Sequence, residues 1–336
     1  MLRSMYSGIS GMKVNQTKLD VVGNNIANVG TTAFKSQRTR FQDVLSQNAG
    51  RAMAPSLNLG GVNPRQVGLG VQLAGIDTLM TQGMMQPTGR NLDLAVDGEG
   101  YFMVARGETV STNGVINIKN DPDNRHELGD TNGRDVMFTR DGSFGTDHEG
   151  NLVTSDGYRV LGYGISDNGG TNSIGTDNIN FVDADSKNLK ADETSLKTLR
   201  IPEKIKDGAD ELRIISFSID KTGVIKGVCE GGKITVLGQV AMSSFRNPAG
   251  LEKMGGNLYR NSPNSGEPVV KSGIGAGTND NSSGYGDMLQ GMLEMSNVDL
   301  AEQFTDMIVT TRAFQASGKM ISSGDEILQD IINLKR

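Results

Sequence analysis

Apolar residues recur at alternating steps of three and four at both ends of the chain, and at every second position through its middle. Leu2, Met5, Ile9, Met12, Leu19 and Ile26 follow one heptad register, with Gln16 and Gly23 in its two gaps. Such a register marks a helix with a single narrow apolar seam and predicts one from Leu2 to about Val29. Leu300, Phe304, Met307, Phe314, Ile321, Leu328 and Ile332 form a stronger seam, with Thr311, Gly318 and Asp325 in its gaps. Ser296-Asn297-Val298-Asp299 supplies cap candidates ahead of it. The second helix is therefore predicted from about Val298 to Leu334, roughly 55 Å at 1.5 Å per residue. A lone helix with so narrow a stripe cannot bury its own seam.

Between the ends the period falls to two. Leu92, Leu94 and Val96 alternate with polar residues, and Asp97-Gly98-Glu99-Gly100 turns the chain into Tyr101-Phe102-Met103-Val104. Phe138 to Phe144, Glu149 to Val153, Asp156 to Leu161, Phe217 to Ile225 and Ile234 to Phe245 continue in the same style. Acidic-Gly pairs between short apolar runs signal hairpins. Ser46 to Asn63 and Gly273 to Gly286 have linker composition. The fold class expected is α+β, mainly β: antiparallel β-rich central domains flanked by terminal helices that pair into a coiled-coil-like core on polymerisation. The expected division is 1–35 with 294–336 as a discontinuous helical assembly domain, and 36–71 with 273–293 as linkers. A β-rich core at 72–164 with 237–272 and an inserted outer β domain at 165–236 complete it.

Composition narrows the function classes. The 336 residues carry 33 Lys+Arg against 39 Asp+Glu, a net charge of −6. That argues against nucleic acid and against anionic membrane surfaces, both of which call for basic clusters. Glycine, at 45 residues, is roughly twice as frequent as the usual 7% and suits many tight turns. Trp is absent, which disfavours an aromatic-walled small-molecule pocket. Cys229 is the only cysteine, so no disulfide framework exists. No run of 18 apolar residues occurs, so the chain is not expected to be membrane-inserted. The start, MLRSMYSGISGMKVNQ, lacks the apolar core of a cleavable secretory signal.

Little catalytic chemistry is present. Asp121-Pro122-Asp123-Asn124-Arg125 and Asp183-Ala184-Asp185-Ser186-Lys187 open like calcium loops. In each a basic residue stands fifth; in the first, His126 replaces the required Gly. Solvated loops are the better reading. Gly68-Leu69-Gly70 through Gly75 has the wrong spacing for dinucleotide binding. His126 and His148 are the only histidines and sit in polar turns. No catalytic, cofactor-binding or metal-ligating residue is expected. Cys229 reads as an inert small residue, with a thiol for an inter-subunit covalent link as the minority reading. The terminal seams remain the strongest signal. Gly8, Gly11, Ala301, Ala313, Ala316 and Gly318 permit close helix approach. The self-assembly residues are Leu2, Met5, Ile9, Met12, Leu19, Ile26, Leu300, Phe304, Met307, Phe314, Ile321 and Leu328.

Four motifs carry a family resemblance. Leu2 to Met12 (LRSMYSGISGM), with Asp20 to Asn28 (DVVGNNIAN) and Ala33-Phe34-Lys35, resembles the N-terminal motif of bacterial flagellar rod and hook proteins. Asn91 to Phe102 resembles their central strand motif. Phe245 to Leu251 with Gly255 to Tyr259 resembles a later β motif, and Ser296 to Leu300 their C-terminal signature. The start, the run Gln66 to Val71 and the central insertion resemble the hook side of the family. Gly30 stands where the family often has Asn, and Ala33 where it often has Gly. The stretch Gly107 to Asp135 is longer than the usual connection.

The resemblance implies a structural subunit without enzymatic activity. It would be exported to the cell exterior by the flagellar type III apparatus and polymerise into a flexible helical tube. That tube transmits torque from rod to filament, and its terminal helices pair around a central channel. The partners implied are other copies of the chain, the distal rod protein, hook–filament junction proteins, a hook cap during assembly and the export apparatus. A distal rod subunit is the nearest alternative. An extracellular β-rich hydrolase or adhesin is the alternative of another class, and the seams at both termini and the scarcity of His argue against it.

Overall fold

The computed structural model describes residues 2–55, 60–107, 116–120, 126–129, 131, 133–167, 173–174, 179–186, 188–207, 210–275 and 281–334. The calcium-like stretch 121–125 and Lys187 lie outside the described residues. The chain divides into two units. The first holds 1–30, 35–81 and 297–336; the second holds 31–34 and 82–296.

In the first unit, helix α1 spans Leu2–Ala27 and helix α2 spans Leu300–Leu334, within two residues of the boundaries the seams predict. Asp299 caps α2: its Oδ1 accepts the Ala301 N–H at 2.8 Å, satisfying a donor the helix leaves open. Between the helices run four strands, β1 (Gln37–Asp43), β2 (Ser46–Gly50), β3 (Arg65–Gly68) and β4 (Val71–Thr78). β1 pairs antiparallel with β4, from Gln37 opposite Thr78 to Asp43 opposite Val71. β2 continues the ladder with β3. The stretch Ser46 to Asn63, expected as a linker, thus begins as the far half of a long two-stranded ribbon. Its small and polar residues form backbone pairs without burying a face, so no apolar alternation marks them.

The second unit is a network of short antiparallel strands. Tyr101–Arg106 lies at its centre, and Tyr101 through Ala105 are all buried. That unbroken apolar run suits a strand covered on both faces. One of its edges pairs with Asp135–Thr139. The other is shared by Arg159–Tyr163 and Met242–Ser244. A meander through Asp210–Ile219, Val224–Cys229 and Ile234–Val240 joins the network at Arg159–Tyr163. The turns at Asp156-Gly157 and Asp220 to Gly223 close hairpins, as their sequences predict.

The Asp97-Gly98-Glu99-Gly100 turn does not. Leu94–Asp97 pairs instead with Asp287–Gln290. Gly98 and Gly100 both take positive φ, +112° and +138°, a region only glycine enters at little cost. The Arg140 guanidinium captures both of their carbonyls, with Nε donating to Gly100 at 2.9 Å and Nη2 to Gly98. The chain is thereby redirected rather than folded back on itself.

Candidate assembly surface

The helix seams come together. Gly8 lies against Ile321 and Ser317, Gly11 against Ser317, and Met5 against Gly324. Lys18 pairs with Asp306 at 3.2 Å. Residues rising along α1 meet residues falling along α2, so the pair is antiparallel. A Cβ on Gly8 would sit 3.3 Å from Ile321 Cγ1, and one on Gly324 3.2 Å from Met5 Cγ. The missing side chains let the backbones approach.

Met5, Met12, Leu19, Ile26, Met307, Phe314, Ile321 and Leu328 are half-buried. Ile9, Leu300, Phe304 and Ile332, placed in the same seams by spacing, are instead exposed. The Leu2 side chain lies outside what is described. Val14, Val21 and Val22 are buried, and the heptad count passed over them. Val14 and Val21 share the side of α1 that carries Ser7 and Ser10. That side faces the ribbon: the Val71 N–H reaches Ser10 Oγ at 3.4 Å, and a Cβ on Gly70 would collide with the same oxygen. The run Ser7-Gly8-Ile9-Ser10-Gly11 therefore serves two neighbours, with the glycines turned to α2 and the serines to the ribbon. A second heptad beginning at Ser7 could have revealed this face.

Lengths agree with the placement. From Ser10 to Asn25 the helix advances about 22 Å. From Val71 to Thr78 a strand advances about 23 Å. Asn25, at the far end, bonds Gln37, the partner of Thr78.

Among the described residues, two apolar surfaces of this unit stand exposed. Val309, Met320, Ile327, Ile331 and Leu334 line one side of α2, rotated by about 100° from the seam, and are 48–86% exposed. Along the ribbon Phe41, Leu45, Met53, Val67, Leu73 and Ile76 are exposed. A two-stranded ribbon is marginal by itself in water, and burying a large apolar side chain stabilises by about 1.5–3 kcal/mol. Both surfaces gain by acquiring neighbours.

In the second unit, buried polar groups are tied into the packing of its own strands. Glu294 is buried against Arg140 at 3.6 Å, and its carboxylate accepts the Gly83 N–H at 2.9 Å. Tyr101 stacks edge-to-face on Phe245 and Tyr259, and burial pushes its hydroxyl up to about 12. An open groove of about 590 Å³ is lined by Asp147, His148, Glu149, Arg200 and Glu203. His148 there is 85% exposed. It meets Asp147 at 2.9 Å, and that hydrogen bond raises the imidazole's pKa. Among the described residues no group of three or more His, Cys, Asp or Glu could hold a metal ion, and no helix is long and apolar enough to cross a membrane. His126 is buried in the strand His126–Leu128. Cys229 is enclosed on its strand, and burial pushes its thiol up.

Comparison with known proteins places these segments. Residues 5–35 match the family model "Flagella basal body rod protein", 127–227 match "Flagellar hook protein FlgE/F/G D1 domain", and 289–334 match "Flagellar basal body rod FlgEFG protein C-terminal". The flagellar basal-body rod protein FlgG of Bacillus subtilis is 40% identical over 336 aligned positions, covering all of both chains. The flagellar hook protein FlgE of Borreliella burgdorferi is 32% identical over 455 positions, again covering all of both. The crystal structure of Helicobacter pylori flagellar hook protein FlgE2 aligns over 62% of this chain and 100% of that one, at 11% identity and a TM-score of 0.38, too loose a likeness to argue from.

Proposed function

Because the chain belongs to the bacterial flagellar rod and hook protein family, we propose that it is a structural subunit that polymerises through its terminal helices into a tube of the flagellar axis. The observation that carries this reading is the uncovered apolar side of α2, from Val309 to Leu334. A monomer gains nothing from such a stripe, whereas copies packed side by side bury it. The unit holds no catalytic constellation that would compete with this role among its described residues.

The hook is the placement favoured by the hook-like start Leu2 to Met12 and the run Gln66 to Val71. There the tube bends while transmitting torque, and the partners are the distal rod below, the junction proteins above, the cap at the growing tip and the export apparatus that delivers the chain outside the cell. The distal rod is the second reading. It is favoured by the 40% identity to the Bacillus subtilis rod protein over 336 positions, against 455 positions for the Borreliella burgdorferi hook protein. Electron microscopy of basal bodies from a deletion strain separates the two: complete rods without hooks support the hook, and truncated rods support the distal rod.

The assembly role itself is tested by Phe314→Asp, which puts a charge into the seam. The variant is expected to leave the second unit folded and to build no tubes. Tubes of normal length from this variant would sink the reading.

A further inference from the structure

Two asparagines in the family motifs have no part in the apolar seams, and both sit where the helices meet the foot of the ribbon. Asn25, in the last turn of α1, is fully buried. Its Oδ1 accepts the Gln37 N–H at 3.0 Å, and its Nδ2 donates to the Gln37 carbonyl at 2.8 Å and to Gln303 Oε1 at 3.0 Å. One side chain thus ties α1, the first residue of β1 and the first turns of α2. Asn297, ahead of α2, does the same for the other foot. Its Oδ1 accepts the Ser36 N–H at 2.7 Å, and its Nδ2 faces the Leu79 carbonyl at 2.8 Å, Thr81 Oγ1 at 2.9 Å and the Thr81 carbonyl at 3.2 Å.

We propose that Asn25 and Asn297 are positioning residues that lock α1, α2 and the ribbon in one register, and so decide which residues of α2 face outward for neighbouring copies. The inference rests on the self-assembly reading for its purpose but not for its geometry. Apolar seams alone specify register weakly here. Gly8, Gly11, Ser317, Gly318 and Gly324 leave few large knobs, and a slide of one heptad would still pair apolar with apolar. A buried polar group that must find its partners removes that freedom. Only an amide fits these positions. Each presents an acceptor to a backbone N–H and donors to carbonyl oxygens, and an aspartate of the same shape would turn lone pairs toward the Gln37, Leu79 and Thr81 carbonyls.

The test reads register in the dilute monomer, so that failure of tube assembly does not enter it. In a Cys229→Ala background, Gly11→Cys with Ser317→Cys reports the observed register, since a Cβ on Gly11 lies 3.3 Å from Ser317 Oγ. Gly11→Cys with Gly324→Cys reports a slide of one heptad. In the parent the first pair is expected to cross-link at least tenfold more than the second. Asn25→Asp or Asn297→Asp should reduce that preference at least fivefold without moving the melting of the second unit. No preference in the parent, or an unchanged preference in both variants, overturns the proposal. Should the aspartates abolish helix formation, the milder Asn25→Ser and Asn297→Ser are read by hydrogen exchange. Exchange at least tenfold faster at the Gln37 and Ser36 amides, with mid-helix α1 amides unchanged, supports the proposal; unchanged protection at both overturns it.

Discussion

The two units treat their apolar residues in opposite ways. Among the described residues, twenty of the twenty-four large hydrophobic side chains that remain exposed belong to the first unit and four to the second. The buried hydrophobic residues reverse the ratio: all but Val14, Val21 and Val22 lie in the second unit. The second unit closes on itself around Phe102, Phe138, Phe144 and Tyr259, whereas the first leaves most of its large apolar side chains to solvent. One chain thus carries a finished core and an unfinished one, and the proposed self-assembly would complete the second.

The largest expected effect sharpens this contrast directly. Phe102→Ala removes a fully buried ring and should cost the second unit about 3–5 kcal/mol in a denaturant melt. Phe304→Ala, at a ring 50% exposed, should cost the monomer about 0.5 kcal/mol or less. Equal costs would erase the distinction.

Alkali should separate the units next. Burial raises the hydroxyl pKa of Tyr101 and Tyr285 to about 12, and moves Tyr163 and Tyr259 in the same direction. All four lie in the second unit, while Tyr6 in the first is 69% exposed. A raised folded-state value means stability that is complete below the unfolded value near 10 and is lost as pH climbs toward 12. Tyrosinate absorbance should therefore rise together with loss of the second unit's near-ultraviolet signal between those limits. Titration of these tyrosines without unfolding would contradict their burial.

Ala33 offers a smaller lever. It holds φ +54° while its N–H donates to the Glu294 carbonyl at 2.8 Å, a conformation in which a Cβ is costly. Ala33→Gly should stabilise the second unit by about 0.5 kcal/mol after the extra backbone entropy of glycine is subtracted, visible as a higher melting midpoint. The smallest effect on the monomer is expected from Ile327→Asp, on the uncovered side of α2: within about 0.5 kcal/mol, yet with tube formation lost in electron micrographs. Growth of normal tubes would show that this side stays bare.

Much of this was legible in the residues because it is local. Heptads give the helices, Ser296 to Asp299 gives the start of α2, and the turn residues Asp156-Gly157 and Asp220-Lys221-Thr222-Gly223 give their hairpins. The ribbon was not legible, since β2 (SQNAG) buries no face and so shows no alternation. The second side of α1 was hidden because Ser7 and Ser10 meet the ribbon through smallness rather than hydrophobicity, which a search for apolar spacing does not see. The redirection at Gly98 and Gly100 depends on Arg140, forty residues away, and a distant guanidinium leaves no trace in the turn itself.

The glycines that touch the facing helix gather at one end of the pair. Gly8, Gly11 and Gly324 lie where the start of α1 meets the end of α2, against Ile321, Ser317 and Met5, whereas a Cβ on Gly23, near the other end of α1, would meet nothing within 4 Å. A methyl group added at Gly8 or Gly324 would therefore have to pry two backbones apart to be seated, while the same change at Gly23 would disturb no neighbour.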